Sequence, residues 1–327
     1  MIREEIRNLI LRRAYAGAFE EGIDNTFNLH TYAAENRIDN DEAWKAFEEL
    51  KSYGLIDYHA MGGIIIGTSR GLLKAEEHKL ADETLIDKQN KIRTKLLVTL
   101  ANIQDRSPYG EIIDWEEWIR EAEVSNQDFT NNDRILRDLG LVHRETIRDY
   151  TITPEGMDKV RDYRKRKKRL DDFEKLERLE GVTEQQRGHR LEDLLADTAE
   201  WEGWEVTKRA RSQGQENDII MHVDLHYFLS SCKWEAEPIQ GKEAELLESR
   251  VRRRPPANGG ILFSMSGFTP NCIEEIRLMI ASVLMVPFGP GDIRRIMGNE
   301  VRMTDLLADK IDQIMTHRKF LIDGELK

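Results

Sequence analysis

An internal repeat with a period near 85 residues constrains the first half of this chain more than any other feature. Both copies show the same succession: a helix that ends at a glycine, two short β segments, and a Thr-x-x-Gly sequence that begins another helix. The matching segments are Leu50–Ile56 with Gly63–Gly71 in the first copy and Leu136–Val142 with Asp149–Gly156 in the second. Self-similarity at a fixed spacing predicts two copies of one supersecondary unit.

The residues at the ends of these segments have the chemistry that such a unit requires. Gly54 and Gly140 suit helix C-terminal positions with a positive φ, which glycine adopts without steric cost. Thr68 and Thr153 are good N-caps, because a threonine hydroxyl accepts from the free N–H groups of the first turn. Helices are also predicted ahead of each unit, at about 2–21, 29–36 and 41–53 in the first copy and at about 91–104, 114–122 and 127–139 in the second.

Three helices followed by a two-stranded wing resemble the winged helix-turn-helix fold. The resemblance covers about residues 1–85 and 86–160. It implies two mainly-α domains of a class in which a helix can enter the major groove of DNA.

A run of charged residues follows the second copy. Six consecutive cations, Arg164 to Arg169, precede an acidic stretch, and apolar residues recur at a spacing of three, at Leu170, Phe173, Leu176 and Leu179. This pattern predicts an exposed, charged linker over about 161–185, formed by a helix that ends at Gly181. Two interpretations stay open at this point, a solvated linker and a contact to the DNA backbone.

From about residue 186 the pattern changes to alternating helices and strands. Helices are predicted at about 186–200, 242–252, 270–281, 291–297 and 303–317, and strands at about 204–209, 218–223, 226–234, 260–266 and 283–286. Hairpins beside βαβ units predict an α/β domain with a mixed central sheet over residues 186–327. The predicted fold class is therefore multidomain, with two mainly-α domains followed by one α/β domain.

Three elements of this last domain carry charged residues in a recognisable order. Glu192 lies on the predicted helix, Asp218 begins a strand, and Ser231 and Lys233 lie on the next strand. This order resembles the PD-(D/E)xK restriction-endonuclease-like superfamily, in its Mrr-like branch, over about residues 186–300. The resemblance implies a restriction-endonuclease-like fold and hydrolysis of DNA phosphodiester bonds with Mg²⁺ or Mn²⁺ as cofactor.

The resemblance also implies a role for each of these residues. Asp218 would be the first metal ligand, and Glu192 would contact the metal through water or bind a second ion. Carboxylates are the ligands that hard divalent cations prefer, and a bound cation neutralises the phosphate and acidifies a water. Lys233 would orient that water and stabilise the charge that develops on the phosphate.

The chain departs from the family pattern at Ser231, where an acid or a glutamine is usual. A serine hydroxyl is a poor Mg²⁺ ligand. Strand alternation places Ser231, Lys233 and Glu235 on one face, with Glu235 about 7 Å along the strand from Lys233. Glu235 could supply the missing carboxylate if the end of the strand curls inward, and Glu216 is a second candidate. Cys232, on the other face, is predicted to be a small core residue.

Structural interpretations of the same residues stay open. Glu192 could be an ordinary exposed helix acid, Asp218 could cap a turn, and Lys233 could be a solvated strand lysine. The protein would then be a non-catalytic DNA-binding regulator or adaptor with a degenerate nuclease fold.

Local basic clusters are the candidate DNA contacts. Two of them flank the predicted site, and their members in the prediction are Lys208, Arg209 and Arg211, and Arg252, Arg253 and Arg254. Such clusters suit a phosphate-binding rim around a nuclease cleft, although a scattered solvated surface would have the same composition.

The two repeats differ in the charge of their third helix. The second carries amides and guanidiniums suited to base edges or phosphates, namely Asn131, Arg134 and Arg137. The first carries acids that repel phosphates, so we expect it to contact a protein partner. The second repeat is therefore the predicted DNA-facing one.

Composition limits the remaining function classes. The net charge of −12 excludes a chain that coats nucleic acid over its whole surface. The two cysteines, Cys232 and Cys272, are too few for a disulfide framework or a cysteine-based zinc site, which favours a reducing, cytoplasmic setting. No apolar stretch approaches the length of a membrane helix, and no P-loop sequence indicates a nucleotide cofactor.

Together these patterns predict a metal-dependent DNA endonuclease that is targeted or regulated by its winged-helix units. The resemblance to the superfamily implies a role in restriction or defence against foreign DNA, and it also implies a homodimer, because cutting both strands needs two sites. A nuclease for RNA or single strands is the third candidate. It lacks a predicted stacking surface, because the six tryptophans fall at positions that look buried.

Overall fold

Two units divide the chain in the computed structural model, Met1–Tyr163 and Arg164–Lys327. The structure describes residues 2–21, 26–60, 63–106, 112–181, 183–208, 211–212, 215–216, 219–223, 226–254, 257–280, 282–317 and 320. Within these ranges, no helix has both the length and the apolar character needed to cross a membrane.

The first unit contains the same order of elements twice: helix, strand, two helices, two strands and a helix. The first set is α1 (Arg3–Ala16), extended by a π-helix (Gly17–Glu21), β1 (Phe27–Asn28), α2 (Leu29–Glu35), α3 (Asn40–Ser52), β2 (Ile56–Ala60), β3 (Ile64–Gly67) and α4 (Ser69–Glu77). The second set is α5 (Glu83–Arg106), β4 (Ile113–Asp114), α6 (Trp115–Ala122), α7 (Asn126–Asp138), β5 (Val142–Arg144), β6 (Asp149–Ile152) and α8 (Pro154–Glu177). The predicted repeat is thus present in the structure.

The sheets of the two repeats have the same topology, β1-β3-β2 and β4-β6-β5, with antiparallel pairs throughout. Each sheet therefore has three strands, whereas the sequence predicts a two-stranded wing. The additional strands, β1 and β4, are each two residues long and lie directly before a helix. Two residues are too few to show the alternation of apolar and polar side chains by which a strand is predicted.

Turn chemistry is the same in both copies. Gly54 and Gly140 have φ values of +68° and +71°, as predicted. The hydroxyl of Thr68 accepts from the N–H of the third residue of α4, and Thr153 does the same at the start of α8. Each threonine hydroxyl also donates to the carbonyl of its glycine over 2.7 Å, so that one side chain joins the helix end to the next helix start.

The glycine of each Thr-x-x-Gly sequence is required by close packing. A Cβ atom on Gly71 would lie 1.8 Å from the carbonyl oxygen of Leu55, and one on Gly156 would lie 2.1 Å from that of Leu141. No side chain fits at such a distance. The helix at this position in each repeat therefore packs directly on the backbone that precedes the sheet.

A buried polar network joins the two repeats. Glu76 of α4 accepts from the hydroxyl of Tyr15 over 2.7 Å and from the guanidinium of Arg93 of α5 over 2.6 Å. The same guanidinium donates to Asn132 of α7 over 3.1 Å, and Asn132 donates in turn to Gln89 over 2.9 Å. We call these five residues the junction network.

Apolar packing also joins the repeats. Ile135 of α7 is fully buried, and it belongs to the core of the first repeat rather than to that of its own. Asn131, on the same helix, donates to the carbonyl of Ala18 in the π-helix. The two repeats therefore form one unit.

Helix α8 corrects the prediction of a separate, exposed linker helix. The helix that begins at Pro154 continues through the basic run to Glu177, without a break at residue 161. Phe173 and Leu176 of the narrow apolar stripe are buried in the core of the second unit. The spacing of the stripe was predicted correctly, but a stripe alone does not show what covers it.

The second unit is an α/β structure with a five-stranded sheet in the order β13-β12-β11-β10-β7. Its strands are β7 (Glu205–Lys208), β10 (Ile219–Val223), β11 (His226–Lys233), β12 (Ala257–Ser264) and β13 (Leu284–Phe288), and a short hairpin is formed by β8 (Arg211–Ser212) and β9 (Gln215–Glu216). Its helices after α8 are α9 (Glu184–Trp201), α10 (Gly241–Arg252), α11 (Pro270–Met279), α12 (Pro290–Met297) and α13 (Met303–His317).

The sheet is mixed, as predicted. Strands β7, β10 and β11 are antiparallel neighbours, whereas β11, β12 and β13 are parallel. Strand β11 is therefore the central strand, where the antiparallel half meets the parallel half. Helix α9 packs against β7, β10 and β11.

Candidate functional site

The central strand β11 presents Lys233 at its end. Most of the strand is buried, including Ser231 and Cys232, and exposure begins at Lys233, whose side chain is 39% exposed. The carbonyl of Lys233 accepts from the N–H of Met265 over 3.1 Å, which holds the end of β11 beside β12. The ammonium group is thus carried by a well-anchored backbone. Cys232 is a buried core residue, as predicted.

Glu235 lies beside Lys233. The strand ends at Lys233, and a carboxylate oxygen of Glu235, two residues further on, is 3.6 Å from the lysine Nζ. The hydroxyl of Ser266 donates to the carbonyl of Glu235, which ties this residue to the segment after β12. The spacing of about 7 Å along a strand separates the two backbone positions, and the two long side chains bridge it.

Glu192 is a nearly buried carboxylate on α9. Its side chain is 10% exposed and lies 3.5 Å from Nδ1 of the exposed His189, one turn earlier in the same helix. Its neighbours Leu191 and Leu195 are fully buried in the core beneath the sheet. The interpretation of Glu192 as an ordinary exposed helix acid is therefore wrong. Sequence reasoning missed His189, which the i, i+3 spacing from Glu192 could have indicated.

Asp218 lies outside the described residues, as does Arg209, and the side chain of Arg211 is also outside them. Strand β10 is described from Ile219, which pairs with Ser230 of β11. The hydroxyl of Ser230 donates to the carbonyl of Ile219 over 2.9 Å. Ser231 is the next residue of β11 and is buried.

The donor set for a metal is incomplete among the described residues. They contain no group of three or more histidine, cysteine, aspartate or glutamate side chains that could hold an ion. Of the predicted ligands, Glu192 and Glu235 are described, and one of these is ion-paired with Lys233. Carboxylate oxygens suit Mg²⁺ in kind, but a full ligand set at this site would require Asp218 as well.

The basic clusters beside the site are partly compensated. Lys208 forms an ion pair with Asp197 of α9. Burial acts to lower the pKa of Lys208, but the hydrogen bond with Asp197 outweighs it, so the pKa lies above its ordinary value. Arg252 pairs with Glu248 over 2.7 Å, whereas Arg253 is exposed.

Arg254, the third member of the predicted second cluster, is half-buried. Its Nη1 atom is buried and has no hydrogen-bond acceptor within the described ranges. Among the residues that the structure describes, no carboxylate forms an ion pair with Arg253 or Arg254.

Helix α7 presents less of its predicted DNA-facing surface than its sequence suggests. Asn131 donates to Ala18, and Arg137 donates to both oxygens of Asp133 over 3.1 Å. Arg134 is exposed. Of the three residues predicted to contact DNA in this repeat, Arg134 is the one that is exposed and has no hydrogen-bond or ion-pair partner within the described ranges.

The acids of α3 are largely paired within the first repeat. Glu49 forms ion pairs with Arg3 and Arg7 of α1, over 3.0 and 2.9 Å. Glu42 pairs with Lys45 over 2.7 Å. This surface is therefore less negative than the acids alone indicate.

The prediction that the six tryptophans are buried is confirmed for two of them, whereas Trp44, Trp115 and Trp234 are half-buried and Trp201 is exposed. Trp118 and Trp204 are buried, and their indole N–H groups each donate a hydrogen bond over 2.8 Å. Trp201, the last residue of α9, is 38% exposed. It lies beyond the part of the helix that packs on the sheet, and helical periodicity alone does not locate that limit.

Comparison with known proteins gives distant structural similarities. No protein-family model matches the chain, and no curated protein matches it. The structure of the restriction endonuclease FokI bound to DNA is 10% identical, with 83% of this chain and 60% of that chain covered and a TM-score of 0.32. A second structure of the restriction endonuclease FokI is 12% identical, with 93% of this chain and 71% of that chain covered and a TM-score of 0.31.

A third similar structure is titled as a protein of unknown function, AF1548. It is 14% identical, with 38% of this chain and 77% of that chain covered, and its TM-score is 0.29. Scores at this level assign no fold family. The function is therefore argued from the residues of this chain alone.

Proposed function

We propose that this chain is a metal-dependent DNA endonuclease whose catalytic centre lies at the end of β11. The observation that carries the proposal is the Lys233–Glu235 pair, an ammonium and a carboxylate 3.6 Å apart and open to solvent, on the central strand of a mixed sheet. The nearly buried Glu192 supports it, because a buried carboxylate is costly to retain and such groups are frequent at functional sites.

Each residue has a distinct part in the proposed reaction. Asp218, Glu192 and Glu235 would hold Mg²⁺ or Mn²⁺, which when bound neutralises the scissile phosphate and acidifies a water. The Lys233 ammonium donates to the attacking water and to the phosphate oxygen on which charge develops. Glu235 holds that ammonium in place. The hydrogen bond from Ser266 to the carbonyl of Glu235 limits the movement of this part of the backbone.

The two repeats of the first unit are proposed to be winged-helix domains that target or regulate the nuclease. Their shared order of elements and the three-stranded sheet of each support this assignment. Arg134 is the proposed DNA contact of the second repeat. The proposed biological setting, carried over from the family resemblance, is restriction or defence against foreign DNA in the cytoplasm, by a homodimer that cuts both strands.

Cleavage of supercoiled plasmid in Mg²⁺, in Mn²⁺ and in EDTA tests the proposal. We expect metal-dependent cutting by the wild type, reduced by at least about 10²–10³-fold in Lys233→Ala, as for the loss of one donor to a developing oxyanion. Asp218→Ala is expected to lose cutting as well. Lys242→Ala is the matched control, because Lys242 is an exposed lysine of the same unit on α10. Full activity in Lys233→Ala would refute the proposed centre.

Glu235→Gln separates the two tasks assigned to this side chain. If Glu235 is a metal ligand, the variant needs a higher Mg²⁺ concentration for half-maximal cutting, and Mn²⁺ restores part of the rate. If Glu235 only holds Lys233, the rate falls without a change in the metal requirement. An unchanged rate and an unchanged metal requirement would remove Glu235 from the site.

A non-catalytic DNA-binding regulator is the second candidate. The buried Ser231, at the position where the family has an acid or a glutamine, favours it. This candidate predicts no cutting by the wild type together with DNA binding that weakens as salt increases.

A further inference from the structure

The exposed Trp201 lies against the basic run of α8. The guanidinium carbon of Arg169 is 5.0 Å from the centroid of the indole ring, and that of Arg166 is 5.5 Å away. Arg169 also donates to the carbonyl of Asp197 over 3.4 Å, which fixes its position on α9. After both contacts are made, 38% of Trp201 is still exposed.

A cavity of about 920 Å³ occurs elsewhere in the first unit, but the one that Trp201 lines, of about 470 Å³, has the more specific chemistry. Lys165 and Lys168 line it from α8, on the same side as Arg169. Neither lysine lies within ion-pair distance of a carboxylate in the described parts of the chain. Two exposed lysines therefore line the same cavity as the indole ring.

The acids of this cavity do not cancel its cations. Asp197 is paired with Lys208, and Asp172 is paired with Lys175 over 3.4 Å. Glu200 is the third acid in the lining. Since Arg166 and Arg169 also contact the ring, positive charge exceeds negative charge around Trp201.

Beside the ring, Arg166 carries one more donor. The Nε atom of Arg166 is buried, and it has no hydrogen-bond acceptor among the residues that the structure describes. A buried N–H without an acceptor carries a desolvation cost that a ligand oxygen at that position would remove.

We propose that Trp201 and the cations of α8, Lys165, Arg166, Lys168 and Arg169, form a binding site for an unpaired DNA strand, with one base stacked on the indole ring and the flanking phosphates bound by the lysines. The proposal deepens the proposed function, because it names a single-stranded segment as the part of the substrate that the second unit holds. It does not require that the chain cuts DNA.

The physical chemistry favours an unpaired strand over a duplex. Bases of a single strand can turn out and stack on an aromatic ring, whereas those of a duplex already stack on one another. A run of cations alone would bind both forms through their phosphates. The exposed indole ring beside the cations is the feature that favours a single strand over a duplex.

Binding of a fluorescent dT oligonucleotide of about 12 nucleotides, measured by anisotropy with the full chain in EDTA, tests the proposal. EDTA prevents cleavage, so the result does not depend on whether the proposed nuclease is active. We expect Trp201→Ala to weaken single-strand binding by about 5- to 100-fold, the range for loss of one stacked base. Trp201→Phe should retain more affinity than Trp201→Ala, and a duplex of equal length should be affected much less.

Two controls keep the experiment decisive. Leu278→Ala removes an exposed apolar side chain elsewhere in the same unit, and we expect it to leave binding unchanged. Lys168→Gln should weaken binding and reduce its salt dependence, whereas Lys242→Gln should not. Equal losses for single strand and duplex in Trp201→Ala would refute stacking. Unchanged single-strand binding in that variant, or no binding by the wild type, would refute the site.

Discussion

The junction network and the end of β11 both gather charged side chains, but only the first is closed. At the junction, Glu76 and Arg93 are 9% and 8% exposed and 2.6 Å apart, and each makes further hydrogen bonds to neighbouring side chains. At the end of β11, Lys233 and Glu235 are 39% and 67% exposed and 3.6 Å apart. The side chains of the junction network already use their hydrogen bonds on one another, whereas Lys233 and Glu235 are still accessible for hydrogen bonds to a ligand.

This difference sets which cluster should matter for stability. Removing one partner of a buried ion pair leaves an uncompensated charge, which costs about 3–5 kcal/mol. An exposed ion pair contributes about 0–1 kcal/mol, because water replaces the lost partner. We therefore expect the junction network to stabilise the fold and the Lys233–Glu235 pair to be dispensable for it.

Arg93→Ala is the strongest test of this expected difference in stability. The variant leaves the Glu76 carboxylate buried with the Tyr15 hydroxyl as a donor, and we expect the free energy of unfolding to fall by about 3–5 kcal/mol. Denaturant unfolding followed by circular dichroism measures it. Arg134→Ala, an exposed arginine in the same unit, is the control and should stay within about 0.5 kcal/mol of the wild type. A loss of unfolding free energy no larger than that of a surface substitution would mean that the junction network does not stabilise the fold.

Asn132→Ala should have a smaller effect on the same measurement. It removes an acceptor from Arg93 and a donor from Gln89, which leaves buried polar groups unsatisfied, at a cost of about 1–3 kcal/mol. Asn126→Ala, at an exposed position on the same helix, serves as its control. If the two asparagine variants were equally stable, the network would have to be supported by Glu76 and Arg93 alone.

Lys233→Ala is expected to have the smallest effect on unfolding, within about 0.5 kcal/mol, because its ion pair is exposed. The same variant is expected to abolish cleavage. A loss of stability as large as that of Arg93→Ala would contradict this expectation and give Lys233 a structural role. The loss of cleavage would then follow from unfolding and would not show a part for Lys233 in the reaction.

Much of the fold was predictable because local chemistry decides it. The helix ends at Gly54 and Gly140 and the starts at Thr68 and Thr153 depend on backbone conformation and on hydrogen bonds between near neighbours. The five strands of the main sheet in the second unit were also predicted to within a few residues, whereas the short strands β8 and β9 were not predicted.

The remaining features depend on contacts between distant residues. Arg93 and Asn132 are 39 positions apart, and no pattern near either one indicates the other. The burial of Phe173 in the second unit and of Glu192 against the sheet depends in the same way on which surfaces meet. At the site, the sequence predicted that Glu235 could supply the missing carboxylate if the strand end curls inward; the structure has its carboxylate 3.6 Å from Lys233, and its part as a metal ligand stays a prediction. The part of Asp218 stays a prediction.

The position of Ile135 in the core of the other repeat has a consequence for inheritance. A gene segment that encoded one repeat alone would not carry a self-sufficient module, because its product would lack either Ile135 or the core that receives it. Recombination could therefore exchange the pair between genes as one cassette, but not a single copy. A substitution on one side of the boundary between the repeats has to be matched by one on the other side. Substitutions there should therefore be inherited as compensating pairs.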